Sequence, residues 1–182
     1  MKFDQDPKNL NLTALAQSSG QLHAETRLAR FERLMEETQG LGGETMVRYT
    51  ATGSLRQDPA GVDEVWMHLE IALDIPLICQ RCLGPVDIPI ALEREFRFVA
   101  TEELAAVEDE ESEEDVLVLS RNFDLQALVE DEILMSLPST PKHEVCPVPV
   151  KLQVADPDFV EPEAQRVNPF AVLGQLKKGE GS

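Results

Sequence analysis

The chain contains no stretch approaching the roughly eighteen consecutive apolar residues that a membrane-spanning helix needs. Its start, Met1-Lys2-Phe3-Asp4-Gln5-Asp6-Pro7, lacks the basic stretch followed by an apolar run that marks a secretory leader, so a cytoplasmic protein with no membrane contact is expected. Positive charge is scarce: 16 Lys and Arg stand against 34 Asp and Glu, a formal net charge of -18. Such a surface repels phosphate backbones and acidic headgroups, which disfavours a broad electrostatic grip on nucleic acid and favours basic partners. Cysteine is also scarce. Three thiols are an odd number, and reducing cytosol disfavours disulfides, so each is a buried small hydrophobe or a metal ligand. There is no glycine-rich phosphate loop, no HExxH and no nucleophile elbow, and His23, His68 and His143 lie in separate segments. No nucleophile or general base can be named, and a non-enzymatic protein is expected.

What is present points to an α+β domain built on an antiparallel sheet of long meander strands with a few packed helices. Val47, Tyr49 and Ala51 alternate with polar residues, and after the turn Asp58-Pro59-Ala60-Gly61 the alternation resumes from Val65 through Leu77. A third run sets Val86, Ile88, Ile90, Leu92, Phe96 and Phe98 against polar neighbours, with Arg94 an exception on the apolar side. Short connections between long strands imply antiparallel neighbours with one face buried. A weaker strand pattern covers Gln21 to Leu28, a short apolar segment follows Thr13, and Arg30 to Thr38 reads as a helix stopped by Gly40, Gly42 and Gly43.

Residues 102–115 are dominated by Asp and Glu and read as a solvated or disordered acidic loop. Val116 to Leu119 can add a short strand, and Asp124 can cap a helix running to about Ser136 before Pro138 stops it. The expected organisation is one domain over 1–150 and an extended, proline-containing tail over 151–182. The tail ends in a short helix or docking motif with Phe170, Leu173 and Leu176 on one stripe.

Cys79 and Cys82 fall between two long strands and are followed by Gly84 and Pro85, as in a zinc-knuckle turn at a hairpin tip. His143 and Cys146 repeat the two-residue spacing, so the four residues can form a closed, structural Cys3His site. The competing reading is that a hairpin tip tolerates small cysteines and that His143 is simply exposed. On the helix after Asp124, Leu125, Leu128, Val129 and Ile133 share an apolar face that also contains Glu132. A carboxylate there needs a partner, and Arg81 and Arg94 are the cations whose positions call for one. Glu130 and Asp131 read as a solvated acidic face open to a partner.

Three motifs in this order, Cys79-Gln80-Arg81-Cys82, Leu128-Val129-Glu130-Asp131-Glu132-Ile133-Leu134 with Leu137-Pro138 after it, and Asn168-Pro169-Phe170-Ala171-Val172-Leu173, resemble the YceD family. The resemblance runs from the first strand to the terminal motif. Members are described as large ribosomal RNA subunit accumulation proteins, which implies a role in the synthesis, processing or stability of 23S ribosomal RNA, with no assigned catalytic residue. The family is also associated with a large-subunit ribosomal protein. Some members resemble four-cysteine zinc proteins, whereas this chain has His143 ahead of Cys146. With a net charge of -18, the implied role is expected to run through a basic ribosomal protein or assembly factor, with RNA contact indirect. The alternatives are a direct RNA-binding or RNA-processing enzyme using Arg27, Arg30 and Arg33, or a small structural zinc-binding module.

Overall fold

The computed structural model describes residues 5–110, 112–149 and 158. Five strands, β1 (Gln21–Arg27), β2 (Met46–Gln57), β3 (Asp63–Ile78), β4 (Pro85–Val99) and β5 (Asp115–Val118), lie in one sheet in sequence order. The first four pair antiparallel, as their short connections require, and β5 runs parallel to β4. Among the described residues four α-helices accompany them: α1 (Leu12–Gln17), α2 (Glu32–Glu37), α3 (Glu102–Asp109) and α4 (Leu125–Ser136). The α+β architecture expected from the alternation is the one observed.

Period two in β3 becomes burial of every second residue: Val65, Met67, Leu69, Ile71, Leu73, Ile75 and Leu77 face the core. Over that face pack Leu12 and Leu15 of α1, Leu34 of α2, and Leu125, Val129 and Ile133 of α4. The last three are spaced i, i+4 and i+8, the stripe that holds a helix on a sheet. Asn11 and Asp124 accept hydrogen bonds from the amides of Ala14 and Ala127, fixing where α1 and α4 begin. The short α1 is held at close range. A Cβ on Gly53 of β2 would stand 2.7 Å from the Ala16 nitrogen and 2.8 Å from the Leu15 carbonyl carbon. Backbone cannot yield as a side chain does, so Gly53→Ala is expected to push α1 off the sheet and cost about 1–3 kcal/mol. Urea denaturation checks this, and an unchanged midpoint would show that α1 is not seated as described.

The acidic stretch expected as a loop over 102–115 is structured among its described residues. Thr101 caps α3 by accepting from the Leu104 amide, Glu102 and Glu103 occupy the first turn where negative charge is favoured, and Ala105 is buried. The deciding group is Arg97. It alternates with the core residues Phe96 and Phe98 and so faces the opposite side of the sheet, yet its side chain is only 10% exposed. Its guanidinium binds Glu64, Glu108 and Glu114 and donates to Ser112 Oγ. Charge that looked solvated in the sequence is drawn in by one buried cation. The crossover through α3 also accounts for the parallel β5, since parallel neighbours need such a connection.

The ladder between β2 and β3 runs to Ala72, and β5 meets β4 only from Phe96 onward. The far ends of β3 and β4, joined by Leu73↔Ile90 through Ile78↔Pro85, therefore form a two-stranded arm beyond the main sheet. Pro76, Pro85 and Pro89 lie in this arm. Its tip is the turn between Cys79 and Gly84.

Candidate metal centre

Backbone geometry shapes the tip before any side chain is considered. Cys79 N donates to Gly84 O and Leu83 N donates to Cys79 O, each at 2.8 Å, while Leu83 takes a φ of 58°. This tight turn brings the Cys79 and Cys82 side chains to one side. The chain leaving α4 then returns to the same place, and Gln80 N donates to Pro141 O at 2.8 Å. Arg81 secures the contact. It donates to the carbonyls of His143 at 2.7 Å and Glu144 at 3.2 Å, and its Nε reaches Cys146 Sγ at 3.1 Å.

The ligand atoms of Cys79, Cys82, His143 and Cys146 consequently lie within 4.8 Å of one another. Cys79 Sγ stands 4.0 Å from Cys146 Sγ, and Cys82 Sγ stands 3.4 Å from His143 Nδ1. Tetrahedral zinc with sulfur at ~2.3 Å and nitrogen at ~2.0 Å places ligand atoms roughly 3.5–3.8 Å apart, so the group needs only small adjustments to hold such an ion. Cys79 is fully buried and the other three are partly buried. None of the three cysteines is in a disulfide.

Electrostatics at the centre favour a thiolate. Burial pushes the Cys79 thiol up, but hydrogen bonding from the backbone of Cys82, His143 and Arg81, and from the His143 side chain, outweighs it and brings the thiol down to about 5. The Gly84 backbone lowers Cys82, yet burial and the neighbouring sulfurs of Cys79 and Cys146 leave it raised. Cys79 is thus charged over the neutral range and loses that charge only as pH falls through about 5. Four protein donors at these spacings suit a divalent metal and leave no open position for a reacting water, which makes a closed, structural centre of any ion held there.

The remaining site residues fall differently from the expectation. Glu132 is buried on the apolar face of α4, but its partner is Arg94, whose Nε donates to Oε2 at 3.0 Å. Arg81 is not that partner, because the fold places it at the tip against residues 143–146. Arg94 pairs in register with the core residue Leu69, which puts it on the covered face beside α4. Glu130 and Asp131 are not free either. Glu130 accepts from the Arg33 and Leu34 amides and from the Arg33 guanidinium, and Asp131 accepts from Arg33 Nη1, so both fasten α2 to α4. Arg27 meets Glu44 at 3.4 Å, so of the three arginines considered for RNA, two are engaged by carboxylates of the same chain. Phe170, Leu173 and Leu176 lie outside the described residues. Arg97 escaped the sequence reading. The signal available was a long cation on a strand followed by an acidic segment short enough to fold back over it.

Comparison with known proteins adds a consistent result. Residues 67–177 match the family model described as large ribosomal RNA subunit accumulation protein YceD. The large ribosomal RNA subunit accumulation protein YceD of Haemophilus influenzae is 33% identical over 153 residues, covering 82% of this chain and 83% of that protein. No solved structure matches the chain.

Proposed function

The chain belongs to the YceD family of large ribosomal RNA subunit accumulation proteins, and from that premise we propose that it is a ribosome biogenesis factor supporting the synthesis, processing or stability of 23S ribosomal RNA. Family membership is the observation that carries this reading. It acts without catalysis, through a basic ribosomal protein or large-subunit assembly factor, and its contact with RNA is indirect. Charge supports the indirect route: a chain of net charge -18 whose Arg27 and Arg33 are already paired with its own carboxylates has little with which to hold a phosphate backbone. Cys79, Cys82, His143 and Cys146 hold a structural zinc that joins the tip of the β3–β4 arm to the segment after α4.

Depleting the protein from its own cells is expected to lower mature 23S RNA relative to 16S RNA, and an unchanged ratio would overturn the reading. Recovery of basic large-subunit proteins on the purified chain after nuclease treatment is the expected sign of the indirect route. Tight binding to naked 23S RNA with a steep salt dependence would replace it with direct recognition.

A further inference from the structure

We propose that the outer face of the sheet, the side turned away from α1, α2 and α4, is a docking surface for a lysine- and arginine-rich helix of a basic protein; this rests on the protein-partner reading above and assigns it a place.

The strand register builds the surface. His23, Thr50, Glu70 and Glu93 stand side by side across β1 to β4, and the adjacent row is Glu25, Arg48, Ala72 and Ala91. These two rows floor an open cavity of about 730 Å³. Three interstrand spacings of ~4.8 Å give a floor roughly 14 Å wide, which accommodates a helix about 10–12 Å in diameter. Ala72 and Ala91 form a directly opposed, exposed pair on its β3–β4 side, where a helix can approach closely, while Arg48, held by Glu25, stands on the β2 side of the same row.

Charge names the occupant. Glu70 and Glu93 are directly opposite each other, an arrangement that costs stability in a sheet, and among the described residues neither has an ion-pair partner within 4 Å. By contrast, Glu25, Glu95 and Glu64 on the same face are each met by an arginine. The opposed pair is therefore a local excess of negative charge beside a small-residue floor, and a cation supplied from outside relieves it. A phosphate backbone would be repelled here, and a second copy of this chain would present the same sign. A helix with cationic side chains one turn apart satisfies both the width and the sign.

The test titrates the full-length protein with an alanine-based helical peptide carrying lysines at i, i+4 on one face. Glu70→Gln with Glu93→Gln is expected to weaken binding by at least about tenfold. Glu36→Gln with Glu37→Gln makes the same charge change on exposed positions of α2 and is expected to stay within about twofold of the parent. Equal weakening by both pairs would show diffuse attraction and overturn the proposal, as would no peptide binding, or self-association of the parent protein through this face. A nuclease-treated pull-down separates the two readings. If the Glu70/Glu93 variant recovers basic large-subunit proteins as well as the parent does, the partner docks elsewhere and this surface is wrong. If the parent recovers none, the protein-partner reading itself fails.

Discussion

Purified protein is expected to carry one zinc per chain, and Cys146→Ser is expected to abolish it. The consequence should be local and large. Leu69, Ile75, Val129 and Ile133 form a core that does not depend on the tip, so the sheet and α4 are expected to survive metal removal. Residues 139–149 have no strand or helix of their own, and they are held at the tip through Gln80, Arg81 and the four ligand residues. Three thiolates and one imidazole would leave a bound zinc with one excess negative charge, and the Arg81 guanidinium, 3.1 Å from Cys146 Sγ, is placed to neutralise it. Chelation is therefore expected to expose residues 138–149 to protease and to amide exchange while leaving the β3–β4 ladder protected. Structural zinc contributes apparent free energies of about 10–16 kcal/mol in small zinc-binding peptides, enough that its loss should release this segment completely. Ligands must be deprotonated to bind, so acidification through about 5, where the metal-free Cys79 thiol recovers its proton, should favour release. A metal-free preparation whose digestion pattern is unchanged in Cys79→Ser and Cys146→Ser would count decisively against the centre.

Arg97→Met is expected to be among the most destabilising single substitutions outside the apolar core. Burial alone would lower the Arg97 guanidinium, but Glu108, Glu114 and Glu64 raise it above its ordinary value, so the cation is held firmly charged. Removing it leaves three partly buried carboxylates facing one another with no counter-charge. Breaking one member of a buried ionic group costs about 3–5 kcal/mol, and the partial exposure of these glutamates places the expected loss near the lower end. The damage should spread along a defined path: α3 loses its contact with β4, and then β5 loses the crossover that positions it. Urea denaturation gives the magnitude, and exchange protection at residues 102–118 gives the location. A variant as stable as the parent, with those residues still protected, would show that the acidic segment folds without Arg97.

The Cys3His cluster and the Arg97 cluster differ in how visible they are in the sequence. The Cys79 to Cys82 turn could be placed at a hairpin tip because the alternation on either side of it is long and regular: β3 buries every residue its period indicated, and β4 buries Val86, Ile90, Phe96 and Phe98 with Ile88 and Leu92 partly covered. Pairing that turn with His143 and Cys146 required only a matching spacing. The choice between Arg81 and Arg94 as the partner of Glu132 could not be made from periodicity, because it depends on which strand α4 crosses and where the tip lies relative to it. The acidic segment misled for another reason. Composition counts charges without knowing that a single strand residue can turn away from the core and gather three of them, and hydropathy alone assigns such a segment to solvent. Glu130 and Asp131 gave the same difficulty in reverse, since both are polar and on a helix surface, yet Arg33 lies 97 and 98 residues away in sequence and reaches both.

The two-stranded arm has a consequence for the protein among its own copies. A ribbon that leaves the sheet presents main-chain donors and acceptors along its margins, a template on which another extended chain can build. Pro76 lies on β3 past the point where β2 stops, and Pro85 and Pro89 lie on β4 before β5 begins, so each stands on a stretch flanked by a single strand within the sheet. Each removes a backbone donor and interrupts the ladder an incoming strand would need. The arm, whose inner face at Ile75, Leu77 and Cys79 stays packed in the core, can thus carry the Cys79–Cys82 turn without recruiting neighbouring chains into a growing, self-propagating sheet.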